Sequence, residues 1–341
     1  NYMRQVAQHA IDVVANVYIP DIKAIASFYP DWFKYGKGLA GINMMSYGDF
    51  PEIANDYSDK SIQIPRGAII NGNLNEVFDV DTRDPEQVQE FVDHSWYKYP
   101  EADKGLHPWD GITDQHYELP PGSDGTETKF NWLAPDGKYS WIKSPRWRGH
   151  MMEVGPLARM VIGIAKNVPH YKEPALELLK ELNLPLEAAF STLGRHAARA
   201  LECEWMTHKL VQYIDDLTAN IKAGDETAAN MEFWEPKTWP KECRGVGPCE
   251  APRGALAHYC VIKNGRLENW QAVVPTTWNA SPRSSEGQKG TYELSLIGTP
   301  LADPKRPLEI IRTIHSFDPC LACATHLYSP EGEELTSVQV C

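Results

Sequence analysis

The sequence predicts a mainly α-helical fold with small β regions, an α+β chain built on a helical-bundle core. Three observations carry this expectation. Apolar residues recur every three or four positions across residues 186–221, two β-prone runs flank an Asn-Gly pair near residue 264, and an aromatic, Pro- and Gly-rich stretch between residues 95 and 147 shows neither period. At 341 residues the chain is long enough for one large or two ordinary domains.

At the N-terminus, Val6, Ala10, Val13 and Val17 repeat at helical spacing, so a helix is expected to end before Pro20. Asn1 stands where an initiator methionine or a signal peptide would be, and the pattern begins without a cap, so the sequence reads as N-terminally truncated, cut inside a helix. Residues 1–150 are expected to hold this helix and a loop-rich wrapping region. Trp96, Tyr97, Tyr99, Trp109, Tyr117, Trp132, Tyr139 and Trp141 lie in that region and read as structural packing. Stacking on nucleic acid is the other use of such aromatics. A net charge of −13, from 33 basic against 46 acidic residues, argues against a general polyanion surface and against a nucleic-acid partner.

Residues 151–230 form the expected helical core. Short helices are expected around residues 155–166 and 173–182, followed by one long helix or two nearly continuous ones over residues 186–221. Pro185 suits the first turn and Gly224 the stop. No run approaches the roughly 20 apolar residues needed to span a bilayer.

Residues 231–326 change character. Residues 256–262 and 267–274 read as strands of a hairpin turning at Asn264-Gly265. Counting outward from that turn sets Arg253 opposite Thr276, Cβ atoms about 5 Å apart if the ladder runs that far. Pro252 and Pro275 cannot donate to a ladder and mark where it would fray.

The densest chemistry lies in His315-Ser316-Phe317-Asp318-Pro319-Cys320-Leu321-Ala322-Cys323-Ala324-Thr325-His326. Two thiolates three positions apart can chelate a soft metal ion, with His326 and Asp318 close in sequence. A c-type haem site is excluded, because His would have to follow the second Cys directly. A redox disulfide and simple packing stay open on spacing alone, although no βαβ pattern surrounds this CxxC. The remaining cysteines, Cys203, Cys243, Cys249, Cys260 and Cys341, form no disulfide framework, and Cys203 and Cys260 read as small buried hydrophobes.

The segment Asp318-Pro319-Cys320-Leu321-Ala322-Cys323-Ala324-Thr325-His326 resembles the C-terminal signature of the large subunit of nickel–iron hydrogenases. Glu250-Ala251-Pro252-Arg253-Gly254, Val273-Val274-Pro275-Thr276-Thr277-Trp278-Asn279, Met152-Glu153-Val154-Gly155-Pro156-Leu157-Ala158-Arg159 and His94-Ser95-Trp96-Tyr97-Lys98-Tyr99 fit other segments of that family. The likeness runs over essentially the whole chain and is nearest the membrane-bound uptake type. It implies the helical-bundle core of that large subunit, and an H2:acceptor oxidoreductase that splits hydrogen heterolytically.

The resemblance implies a Ni–Fe centre with CO and cyanide on the iron. Cys320 would be a terminal nickel ligand and Cys323 a bridging one. Arg253 would overhang the open metal position, held by Asp318 through a charge-assisted hydrogen bond. Pro252, Val274 and Pro275 would line the diatomic pocket, with Thr276 donating to a cyanide. Heterolysis needs a Lewis acid and a base. A guanidinium is ordinarily a poor base, so a terminal thiolate is the better proton acceptor, and Arg253 could instead only pair with Asp318 and shape the pocket.

A Mg2+ or similar ion is implied near the C-terminus, held by His326 and the backbone carbonyl of Ala272. Residues 327–341 would be a maturation peptide that an endopeptidase removes after His326. The implied partners are an iron–sulfur small subunit, which carries the Fe–S clusters, and a membrane cytochrome b reached through it. The implied location is the periplasmic face of the inner membrane. The family's other CxxC and a glutamate on its proton route have no counterpart here, so this chain alone is expected to bind nickel weakly and be inactive. The competing reading is a metal-free or zinc-binding structural subunit of the same fold, zinc being held by Cys320, Cys323, His326 and one of Cys243, Cys249 or Cys260.

Overall fold

The computed structural model describes residues 2–101, 103–117, 137–229, 231–232, 234–320, 323–329 and 333–340; of residues 323–325 and 339–340 it describes the backbone only. Trp132 lies outside the described residues.

The chain opens with α1 (Tyr2–Val13), a five-residue π-helical turn (Val14–Tyr18) and α2 (Ile19–Phe28). The expected stop before Pro20 does not occur. Pro20 has no N–H to give, and the π turn takes up the mismatch: Ile19 N–H reaches back to the Val14 carbonyl, and Pro20 falls in the first turn of α2. Ala7 is the buried residue of α1, whereas Val6, Val13 and Val17 face outward.

The first half also contains sheet that alternation did not reveal. Strand β1 (Met44–Pro51) pairs antiparallel with β2 (Ile62–Ile69), from Met44 opposite Ile69 to Pro51 opposite Ile62. Most of both strands is buried, so they read as apolar runs rather than as alternating ones. Strands β3 (Val88–Phe91) and β4 (Ser144–Trp147) pair across the aromatic stretch. Its rings pack on each other and on the sheet that follows: Trp96 meets Trp141 at 4.9 Å between centroids, and Trp109 donates to the Gly245 carbonyl at 2.8 Å. This is the structural packing expected of them.

The helical layer comprises α3 (Pro156–Ala165), α4 (Pro169–Glu181) and α5 (Thr192–Lys222), with α1, α2, α3 and α4 all packed on α5. The long periodic segment begins as a single 3-10 turn, Leu186–Ala189, and breaks at Phe190. Ser191 then caps α5, its hydroxyl accepting from Gly194 N–H at 3.0 Å. The first half of α5 and Ile214 are buried; Leu210, Leu217 and Ile221, expected there too, lie on an exposed face.

Beyond residue 240 stands a three-stranded sheet, β5 (Glu242–Ala251), β6 (Gly254–Lys263) and β7 (Arg266–Val273), in that spatial order. The Asn264-Gly265 hairpin forms with positive φ at both turn residues. Short helices α6 (Pro275–Asn279), α7 (Thr291–Leu296) and α8 (Leu308–His315) follow, then a separate hairpin of β8 (Cys323–Tyr328) and β9 (Glu334–Val340). Three apolar clusters result among the described residues, one around Met45, Trp147, Tyr259 and Trp278, a second around Leu157, Ile162, Tyr171 and Ala198, and a smaller third around Ile22, Leu178, Ala197 and Ala200. Met152 and Val154 belong to the first and Leu157 to the second, so the segment between them joins the two. Among the described residues no helix is long and apolar enough to cross a membrane.

Candidate metal centre

The expected pairing of Arg253 with Thr276 across the hairpin does not form. Lys263 faces Arg266 and Ile262 faces Leu267 as counted, but Glu268 bulges and every later pair slips by one, down to Ala257 opposite Val273. There the ladder ends, because Pro275 begins α6 with the fixed φ that suits a first helical position. Arg253 sits instead in a second tight turn, between β5 and β6, with Ala251 opposite Gly254. Strand β5 was hidden by Gly245, Gly247 and Pro248, residues tolerated because β5 is an edge strand.

Arg253 and Thr276 still reach one place, through the segment after α8. Arg253 Nη2 lies 3.2 Å from Asp318 Oδ1, and Cys320 N–H donates to Thr276 Oγ1 at 2.9 Å. Asp318 takes a left-handed conformation (φ 55°), which Asp tolerates better than most residues and which turns the chain from α8 toward Cys320. Cys320 is exposed. Cys323 opens β8, and its side chain lies outside the described set.

Close packing fixes the turn of Arg253 against the N-terminus of α3. Gly254 has φ 130°, and a Cβ there would lie 2.6 Å from Gly155 N. A Cβ on Gly155 would lie 3.0 Å from the Arg253 carbonyl. The Asn279 amide on α6 both donates to and accepts from the backbone of Val154 at 3.0 Å, tying the Thr276 helix to the same segment.

Beneath this lie buried charges that the sequence did not single out. Arg159 on α3 pairs bidentately with Glu202 of α5 and, at 2.8 Å, with Glu250 of β5. Burial would push the Arg159 pKa down, but the two carboxylates reverse this and hold it above its ordinary value. Burial raises the pKa of Glu250, with Arg159 and the Tyr47 N–H opposing. Arg195 of α5 pairs with Glu153 at 2.8 Å and lies over the Phe317 ring, while Arg199 donates to the Ser316 carbonyl at 2.9 Å. Arg195, Arg199 and Glu202 share one face of α5 at i, i+4 and i+7, charges where core residues belong, and that anomaly was readable.

Other expected residues are not gathered here. Ala272 lies in β7 opposite His258, whereas His326 lies in β8 opposite Ser337 with Nδ1 3.5 Å from Glu334. Cys243, Cys249 and Cys260 lie in the β5–β6 pair as free thiols. Among the described residues no three His, Cys, Asp or Glu side chains converge on one point. The donors that are described suit one side of a thiolate-held soft metal. Cys320 is accessible, Thr276, accepting from Cys320, keeps its own proton for a second partner, and the buried Arg253 Nε has no partner among the described residues.

Arg253, Asp318, Thr276 and Cys320 thus meet beside the three-stranded sheet and α6, and the chain belongs to the nickel-dependent hydrogenase family, matched over residues 1–326. It is 59% identical over 340 residues to the uptake hydrogenase large subunit of Rhizobium leguminosarum bv. viciae and 51% identical to the hydrogenase-1 large chain of Escherichia coli K12, covering all of this chain and 57% of each relative. Among solved structures, it resembles the Ni-Fe-Se hydrogenase of D. vulgaris Hildenborough in the reduced state with a TM-score of 0.70 at 32% identity, over 92% of this chain and 58% of that one. The chain thus spans a little over half the length of the relatives it matches.

Proposed function

We propose that this chain is the C-terminal part of the catalytic large subunit of an uptake-type nickel–iron hydrogenase, oxidising H2 and passing electrons to an iron–sulfur small subunit. The observation carrying this reading is the meeting of Arg253, Thr276 and Cys320 on one short segment, within a sequence that matches the nickel-dependent hydrogenase family. Cys320 and Cys323 would hold the Ni–Fe centre, with further thiolates of the whole subunit completing it. When bound, the centre supplies the soft Lewis acid at which H2 is split.

The chain's own residues do the rest. Asp318, two residues from Cys320 in the chain, fixes the Arg253 guanidinium, so that a positive charge would face the reacting position. Cys320 Sγ would be the proton acceptor. Pro252, Val274 and Pro275 would line the side of the iron's diatomic ligands, and Thr276 would have its hydroxyl proton to offer a cyanide. Retention of Cys320, Arg253 and Asp318 together speaks against the metal-free structural reading.

Residues 327–341 lie outside the family match, which supports their being a maturation peptide removed by an endopeptidase after His326. Removal would free His326 from Glu334 to join the Ala272 carbonyl on Mg2+. The relatives' uptake names support attachment, through the small subunit and a cytochrome b, to the periplasmic face of the inner membrane.

The test is H2-dependent dye reduction by the large–small subunit complex, with nickel measured on the same sample. Arg253→Lys should keep nickel and lose at least about a hundredfold in turnover, since oriented charge at a reacting centre is worth that much. Full activity in that variant overturns the role of Arg253.

A further inference from the structure

We propose that Arg159 is a positioning residue for Arg253, acting through the carbonyls of the two residues before it. This inference rests on the reading of Arg253 given above. The Arg159 guanidinium has five N–H donors, and all five are used. Nε and one Nη2 proton go to Glu202, the other Nη2 proton goes to the Pro252 carbonyl at 3.0 Å, and Nη1 serves both Glu250, at 2.8 Å, and the Ala251 carbonyl, at 3.0 Å. Tyr171 fixes Glu202 from the far side at 2.8 Å, and the Tyr47 N–H holds Glu250 at 2.6 Å. One rigid planar group therefore grips the chain at residues 251 and 252 from α3, α5 and β5 together.

The same helix holds residue 253 from the backbone side. Arg159 N–H closes the first turn of α3 on the Gly155 carbonyl at 3.0 Å, and Gly155 lies against the Arg253 carbonyl. Among the described residues, Arg253 pairs with Asp318 at its tip and has an unpartnered Nε along its stem. The reach of its guanidinium to Asp318 is thus set by where its backbone stands, and Arg159 sets that. A purely structural salt bridge would need the carboxylates alone; the two carbonyl bonds to Ala251 and Pro252 are what give it a reach toward the site.

The test uses the assembled large–small subunit complex carrying Arg159→Lys, Arg253→Lys and both. Lysine keeps the charge but, with three donors at one point, cannot hold two carboxylates and two carbonyls. The expected result is wild-type nickel content with kcat about tenfold or more lower in Arg159→Lys, in keeping with the cost of an ångström of misplacement. The double variant should be no slower than Arg253→Lys alone, and a crystal structure of Arg159→Lys should show Arg253 drawn away from Asp318. Unchanged kcat, an unchanged Arg253–Asp318 contact, or a full extra loss in the double variant each overturns the proposal. Should Arg159→Lys not assemble, Glu202→Gln, which loosens the same guanidinium, is read by the same criteria; if neither assembles with nickel, Arg159 serves folding and the proposal falls. If Arg253→Lys itself is fully active, the functional reading fails instead, and the two failures are told apart.

Discussion

Gly254→Ala is the substitution whose effect the structure determines most closely. Gly254 has φ 130°, open to glycine and strained for any L side chain, and an added Cβ would lie 2.6 Å from Gly155 N, 2.8 Å from Val154 Cγ2 and 3.0 Å from Gly155 Cα. Two of these three contacts are backbone, so no rotamer relieves them. Backbone strain of about 1–3 kcal/mol and overpacking of about 1–3 kcal/mol combine to a loss of roughly 2–6 kcal/mol. In a large chain that is a fall of roughly 5 °C or more in the melting midpoint. Gly247→Ala is the control from the neighbouring strand, since a Cβ there meets nothing within 4 Å. Differential scanning calorimetry of the subunit complex should show the first variant well below wild type and the second within about 1 °C of it, or slightly above. Equal midpoints for the two variants would refute the close approach of the Arg253 turn to α3.

Other substitutions test the surroundings. Glu250→Ala leaves the Tyr47 N–H without its buried acceptor and the Arg159 guanidinium with Glu202 as its one carboxylate, and should cost about 1–3 kcal/mol by denaturant unfolding, with Glu250→Gln costing less. His196 is held neutral, its pKa lowered to about 4 by burial and then by Arg199 and Arg195. The unfolded chain takes up that proton near the ordinary value of 6.5, so this stability is complete above pH 6.5 and fades as pH falls toward 4, by about 3 kcal/mol. His196→Gln should flatten that part of the stability–pH curve, and an unchanged curve would refute the assignment. Deleting residues 327–341 removes β9 and the last two residues of β8, and the β8–β9 hairpin forms a sheet of its own; calorimetry should show a midpoint within about 2 °C of the uncut protein.

The parts of the fold legible in sequence were those fixed by local chemistry. Asn264-Gly265 placed its hairpin because few residues accept the turn, and residues 156–165 and 169–181 became helices close to where the apolar period put them. Strands β1 and β2 were missed because both faces are largely buried and no alternation shows. The bulge at Glu268 is a decision of tertiary packing, and one residue of slip was enough to undo the counted pairing of Arg253 with Thr276. Leu210, Leu217 and Ile221 have core-like spacing, but of that half of α5 it is Ile214 that this chain buries.

The site divided along the same line. Cys320, Asp318 and Arg253 stood out by residue type and motif, and the contact between Arg253 and Asp318 is present at 3.2 Å. The supports beneath them did not stand out, because Arg159, Glu202 and Glu250 are far apart in sequence and only the crossing of α3, α5 and β5 turns them into one buried cluster. A hint was available in Arg195, Arg199 and Glu202, three charges on the face of a helix that packs inward.

Quantifying nickel, iron and zinc in the purified large–small subunit complex, in wild type and in Cys320→Ala, tests the central claim most directly. The account predicts about one nickel per large subunit in wild type, lost in Cys320→Ala along with H2-dependent dye reduction. Stoichiometric zinc in place of nickel, or nickel retained in full without Cys320, would contradict it.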